Sequence, residues 1–401
     1  MDANATQHAD VAIVGGGVMG AATACFLARD HGARVVVLER DPSHARASSA
    51  LSASSIRQQF SQPVNIALSL WSVAFLRRVA QELAVAGEMP PQISLVEPGY
   101  LYLAGSTDGA ATLRRLHPLQ TAAGAQIAPL DPQAMAQRWP WLHTSDLQLG
   151  TLGLAGEGWF DGPALHQAFK HKARACGVRF VAANACGWQT AGARVVAVND
   201  SAGQRWVADQ FVLAAGAWSA GLAAALGVLL PVSPKKRDVF VFDAPATLAG
   251  CPLVVDPSGL WFRPEGRGFI CGGPPRAVGG EATDADEPPL ERIDHGLFDE
   301  VLWPALAHRV PAFEALRLRS AWAGYYEMNA FDHNGLAGAL PGWANAYTTC
   351  GFSGHGMQQA PAVGSALAAL VAGGTSGAPL LAALSPQRLL DGTALLEANV
   401  I

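Results

Sequence analysis

Three glycines, Gly15, Gly17 and Gly20, sit in the run VAIVGGGVMG from Val11 to Gly20, and a carboxylate follows at Glu39. These are the residue types that hold a dinucleotide. The first glycine permits a tight turn without a Cβ clash, the second lets the backbone approach a pyrophosphate, and the third lets the following helix pack close to its strand. Val18 and Met19 open that helix, whose N-terminal amides face the phosphates. Glu39 stands about twenty residues beyond the last glycine, where a carboxylate accepts hydrogen bonds from ribose hydroxyls and repels a 2′-phosphate. The pattern argues for an adenine dinucleotide and against NADP.

Two further stretches carry chemistry. The Ser- and Ala-rich segment Asp41 to Gln59 contains Arg46 and Arg57 and can line a ligand. In CGFSGHGMQQ, Gly351, Gly354 and Gly356 let the chain approach a planar ring, and the helix that begins there aims its positive end at it. Such a terminus stabilises negative charge on the ring.

The elements that must position these groups follow from the pattern. An apolar strand precedes Gly15, a helix follows it, and a second strand, Arg34 to Leu38, leads into Glu39. A helical run is expected from Pro63 to Val85, then a Pro-rich break at Met89 to Pro91 and a strand from Ser94 to Leu103. The chain returns through a helix at Pro163 to Ala175 and a strand at Gln210 to Leu213 that runs into AAGAW. Strands at Asp238 to Phe242, Gly259 to Arg263 and Gly268 to Gly272 alternate as a sheet with one covered face does. The acidic stretch Glu281 to Pro289 reads as an exposed loop. A helical pattern from Ile293 to Ala307, a strand from Asn345 to Thr349 and an Ala/Leu helix ending at Gly373 and Gly374 complete the chain.

The expected fold is therefore α/β: a Rossmann-like dinucleotide-binding domain interleaved with a substrate domain built on a mixed or antiparallel sheet. Residues 1–88, 151–227 and 320–401 are assigned to the first, and residues 89–150 and 228–319 to the second. With 401 residues, half of them hydrophobic and 15% charged, the chain can bury cores for two lobes. A net charge of −5 offers no footprint for nucleic acid. The six cysteines show no CxxC spacing, which suggests neither a disulfide framework nor a metal site. No stretch reaches membrane-spanning length, and the short polar leader before the first strand leaves no room for a signal peptide. A cytoplasmic protein is expected.

The GxGxxG motif with Glu39, the run AAGAWS at Ala214 to Ser219, and GFSGHG at Gly351 to Gly356 together resemble the glycine/D-amino-acid oxidase superfamily of FAD enzymes. Within it the chain is similar to sarcosine oxidase, glycine oxidase and dimethylglycine dehydrogenase. ASSALSASSIRQQFSQPVNIALSL (Ala47 to Leu70) and WAGYYEMNAFDHNGLAG (Trp322 to Gly338) further resemble a mitochondrial FAD-dependent oxidoreductase-domain family linked to respiratory complex I assembly.

The resemblance implies FAD, held noncovalently: the attachment cysteine of sarcosine oxidases falls at Gly324, and no attachment histidine lies in Ser48 to Ser55. It implies cofactor contacts from Gly15, Gly17, Val18, Met19, Gly20, Glu39, Arg40, Ser48, Ser49, Ala215, Gly216, Trp218, Gly351, Gly354, His355, Gly356 and Met357. It assigns Arg57 to the substrate carboxylate, which a guanidinium grips in bidentate fashion, Tyr326 to positioning the amine or a water, and Gln358 to the place of a lysine that touches carboxylate or flavin. Tyr325 and His333 share the Tyr326 segment, and Cys350 reads as a packing residue. The implied reaction takes the C–N bond of a small amino acid or N-substituted amino acid to an imine that hydrolyses. The oxygen-activating lysine of oxidases is missing around Gly259 to Arg263, which argues against oxygen as the acceptor and makes a quinone or an electron-transfer protein the alternative to it. The alternatives are an assembly or partner-binding flavoprotein, or a dehydrogenase subunit, with little turnover of its own.

Overall fold

The computed structural model describes residues 8–278, 281–282, 289–375 and 377–397. Its first sheet runs, strand by strand, through Leu336–Ala339, Ala346–Cys350, Arg205–Leu213, Ala9–Val14, Val35–Glu39 and Arg179–Ala182. The hairpin of Ala185–Ala191 and Arg194–Asp200 is appended to Arg205–Leu213. Ala9–Val14 is an almost wholly apolar strand buried on both faces, as a central parallel strand must be. It pairs in parallel with Val35–Glu39 on one side and Arg205–Leu213 on the other, with Val14 opposite both Leu38 and Leu213. The order reverses at this strand. Gly15, Glu39 and Ala214 therefore leave the sheet side by side, at the place where open α/β sheets bind ligands.

Helix Val18–His31 begins directly after the turn and ends at Gly32, which takes the left-handed conformation at φ 64°. It packs against the late helix Gly356–Val371 so closely that a Cβ on Gly364 would come within 2.7 Å of the Ala22 Cβ. Helix Gly162–Ala175 lies beside it, capped by Asp161, whose carboxylate accepts from the Ala164 amide at 2.8 Å. Phe26, Phe75 and Phe169 meet in the core between these elements.

The second sheet runs through Arg317–Asn329, Val232–Asp243, Gly268–Gly272, Trp261–Glu265, Leu253–Val255, Tyr100–Ala104, Leu149–Gly153 and Ile127–Leu130. Its neighbours are antiparallel except Leu253–Val255 with Tyr100–Ala104. Phe240, Phe242, Phe262 and Phe269 turn to one face and pack with Phe298 and Phe313. The alternate residues Arg237 and Val239 turn to the other face and line a cavity. Arg317–Asn329 stays in this sheet well past residue 320, because it pairs along its length with Val232–Asp243.

Some elements differ from expectation for local reasons. The helical run from Pro63 breaks into Pro63–Leu76 and Val79–Glu82, with Arg77 turned out to pair with Glu97. The expected strand from Ser94 begins only at Tyr100, since Pro98 has no N–H to give and Gly99 sits at φ 101°. Val96 keeps one isolated bridge to Trp159. Glu281–Ala282 forms a short strand with Ala277–Val278, while residues 283–288 of the acidic stretch lie outside the described residues. Among the described residues no helix is long and apolar enough to cross a membrane.

Candidate active site

A cavity of about 740 Å³ runs from the glycine turn of the first sheet to the inner face of the second. Of the residues expected at the cofactor, Gly15, Gly17, Val18, Met19, Glu39, Arg40, Ser48, Ser49, Ala215, Gly216, Trp218, Gly354, His355, Gly356 and Met357 line it. Gly20 and Gly351 stand behind the wall. A Cβ on Gly20 would meet the Gly15 carbonyl oxygen at 2.0 Å, and one on Gly351 would meet the Val232 side chain at 2.9 Å. Their parts are in packing the turn and the loop. Gly15 itself sits at φ 103° with the Ala214 carbonyl oxygen 2.3 Å from where a Cβ would be, so this turn admits glycine only.

Glu39 braces the near end. Its carboxylate accepts from the amides of Gly16 at 2.7 Å and Asp41 at 2.9 Å. Ser49 accepts from the Val18 amide at 2.9 Å, and the Arg40 guanidinium stacks over the Trp218 ring with its carbon 3.9 Å from the centroid.

Arg57 lines the far end, almost fully buried. Its guanidinium donates to the Tyr102 hydroxyl, to the Gln59 carbonyl at 2.9 Å and, across 3.0 Å, to Nε2 of His355, and it lies over the Phe60 ring. A guanidinium has no acceptor, so His355 Nε2 must accept and its proton resides on Nδ1. Burial and the neighbouring Arg57 charge hold His355 well below the usual imidazole range, consistent with a neutral ring. Gln358 receives the Arg57 amide on Oε1 at 2.9 Å. It therefore fixes the backbone that carries the arginine.

Tyr326 and Gly354 share the same end. The Tyr326 ring lies on the glycine, the Arg237 guanidinium stands 5.4 Å from its centroid, and burial raises the phenol pKa. Tyr325 points elsewhere: its hydroxyl accepts from Arg46 at 3.0 Å and its ring meets Trp218 edge-on. At Gly324, a Cβ would already press on Leu51 at 3.0 Å, leaving little room for an attachment cysteine. Cys350 is fully buried, and desolvation pushes its thiol up to about 12. Arg263 lies off the cavity wall, donating to the Ala53 carbonyl and paired with Glu265, whereas Trp261 is on it.

Arg46, in the segment expected to line a ligand, is on the wall; His44, Arg237 and Glu327 are wall residues that the sequence did not single out. Burial lifts the Glu327 carboxyl to about 7, against the opposing pull of the Phe352 and Gly351 backbone amides. Its Oε1 stands 3.3 Å from where a Gly356 Cβ would be and its Oε2 3.6 Å from the Gly216 position. Period-two alternation would have grouped Arg237 with Lys235, but only the register of the two strands, with Lys235 opposite Tyr326, sets the Arg237 guanidinium beside this ring. Glu327 had no linear signal beyond its place after Tyr326.

The donor set suits FAD. The glycine turn and Glu39 form a cradle that Cβ atoms would fill, and buried polar atoms on the wall, among them Nδ1 of His44 and Oγ1 of Thr349, have no hydrogen-bond partner among the described residues. The N-terminus of helix Gly356–Val371 opens at the far end.

Comparison with known proteins agrees with this geometry. The chain is 42% identical to FAD-dependent oxidoreductase domain-containing protein 1 of Bos taurus, over 91% of this chain and 81% of that one. It is 38% identical to the Xenopus laevis protein of the same name, over 98% and 85%. The crystal structure of glycine oxidase from Geobacillus kaustophilus superimposes with a TM-score of 0.80 at 25% identity, covering 95% of this chain and 99% of that one. Residues 10–370 match the family described as DAO, FAD dependent oxidoreductase, and the chain belongs to that family.

Proposed function

We propose that the protein oxidises the C–N bond of a small amino acid or N-substituted amino acid whose carboxylate is held by Arg57. One observation carries this reading: a buried guanidinium, the Tyr326 phenol and the N-terminus of helix Gly356–Val371 all face the same end of one cavity. The similarity to glycine oxidase supports it. FAD, when bound, supplies the oxidising power by taking a hydride from the α-carbon, and the substrate nitrogen gives up a proton to leave an imine that water hydrolyses.

The chain's own residues orient and stabilise. Arg57 binds the carboxylate, and Gln358 and His355 hold Arg57 at the wall. Tyr326, kept protonated by burial, can donate to a substrate heteroatom or an ordered water. The amides of helix Gly356–Val371 favour negative charge at its N-terminus. Among the described wall residues there is no lysine, which favours a quinone or an electron-transfer protein over oxygen as acceptor.

A second reading, a partner-binding flavoprotein with little turnover, is favoured by the bonds Arg57 already makes to Tyr102, Gln59 and His355. Anaerobic mixing of the holoprotein with a panel of N-methyl, D- and cyclic amino acids separates the two. Bleaching by any member, followed by faster reoxidation with quinone than with oxygen, supports the enzyme. A flavin that stays oxidised across the panel overturns it.

A further inference from the structure

A buried pair on one face of helix Gly162–Ala175 reaches the dinucleotide turn. His166 and Lys170 are four residues apart, so they project from the same side. The His166 Nε2 lies 2.8 Å from the Gly16 carbonyl, which only accepts, so that nitrogen carries the proton and ties the helix to the glycine turn. The Lys170 Nζ lies 2.8 Å from Nε2 of His44, and the two imidazoles meet edge to face with centroids 4.7 Å apart.

The Lys170 contact decides the His44 tautomer. An ammonium has only donors, so Nε2 of His44 must accept, and the ring proton sits on Nδ1. That Nδ1–H is buried and has no hydrogen-bond partner among the described residues. It faces Glu39 but stops short, 3.8 Å from Oε2, and His44 lines the cavity on the same stretch of wall as Glu39. Buried donors without partners are rare in folded proteins and call for an acceptor from outside the chain.

We infer that His44, locked as the Nδ1–H tautomer by Lys170, donates a hydrogen bond to the adenosine half of the bound cofactor beside Glu39. Glu39 accepts from ribose hydroxyls; His44 adds the complementary donor, directed at a ribose or phosphate oxygen. Burial and the Lys170 charge lower the imidazole to about 4, so the ring stays neutral and the tautomer is set by Lys170 across the physiological range. The backbone has a part as well: His44 sits at φ 56°, which asparagine and glycine tolerate.

That backbone makes the test clean. His44→Gly keeps the loop conformation and removes the donor, while His44→Asn keeps the conformation and replaces Nδ1–H with a side-chain amide N–H. FAD dissociation is read from the fluorescence of flavin released on serial dilution of the holoprotein, with thermal unfolding in saturating FAD to verify that each variant folds. His44→Gly is expected to bind FAD roughly three- to tenfold more weakly, as loss of one hydrogen bond does, and His44→Asn to recover most of that loss. Lys170→Met, which leaves the tautomer unset, is expected to fall between them.

A His44→Gly protein with wild-type affinity, or a Lys170→Met protein indistinguishable from wild type, overturns the assignment. So does a wild-type protein that binds no FAD, which would sink the proposed function too. Weakened FAD binding in His44→Gly stands whether or not any amine reduces the flavin.

Discussion

The ring of Tyr326 lies across Gly354, close enough that a Cβ on the glycine would come within 2.5 Å of it. Gly354 also sits at φ 93°, in the left-handed region. Gly354→Ala therefore meets two penalties, a backbone cost of about 1–3 kcal/mol and a clash that must displace the phenol. The expected result is a folded protein with FAD binding weakened about tenfold or more, read by flavin release. Tyr326→Phe, which keeps the ring and drops the hydroxyl, should bind FAD normally and lose turnover.

Arg57 is expected to separate binding from folding. Arg57→Lys preserves charge but cannot reach Tyr102, Gln59 and His355 with one fork, and Arg57→Met removes the charge altogether. If the guanidinium holds the substrate carboxylate, kcat/KM falls by about a hundredfold or more in both, chiefly through KM, a loss on the order of 3 kcal/mol. A fall in Tm with unchanged KM would make Arg57 a structural residue.

Glu157 gives a pH signature. It is fully buried and accepts from the amides of Gln58 at 2.6 Å and Gln59 at 3.1 Å, directly after Arg57. Burial raises its carboxyl from 4.5 to about 7. Below the unfolded value both states are protonated; as pH rises through that window the unfolded chain ionises first, so the folded state loses relative stability until about pH 7. Glu157→Gln cannot titrate. The difference in Tm, wild type minus variant, should thus decline between about pH 4.5 and 7 and then level off.

What could be read in the linear chain divides along a physical line. Gly15, Gly20 and Glu39 were legible because a turn, a close helix approach and a strand end impose residue types at fixed short spacings. The roles of Arg57 and Tyr326 became legible through resemblance, since their convergence with the glycine loop Gly354 to Gly356 spans three distant segments. His44 with Lys170, and Arg237 with Tyr326, were not legible. The first pair depends on which side of helix Gly162–Ala175 faces a loop some 126 residues earlier, and the second on the register of two long strands. The strand expected from Ser94 failed where apolar content outweighed Pro98 and Gly99.

Glu327 yields a test of the charge at the far end of the cavity. Its carboxyl stands beside Gly356 at the N-terminus of helix Gly356–Val371, where anionic reduced flavin is expected. With its pKa near 7, it is protonated in mild acid and ionised in mild base. In the protonated form it differs little from glutamine, so below about pH 6 the midpoint potentials of wild type and Glu327→Gln should coincide. Above about pH 8 the wild-type carboxylate opposes a second negative charge nearby, whereas the variant leaves the helix terminus unopposed. The variant potential should then lie higher, by about 30 mV for a two-electron couple if the repulsion is on the order of 1.4 kcal/mol. Spectroelectrochemical titration of both holoproteins across this range measures it. Equal potentials at every pH would place the carboxyl too far from the flavin to matter, and a lower potential in the variant would mean that the carboxyl helps reduction rather than opposing it.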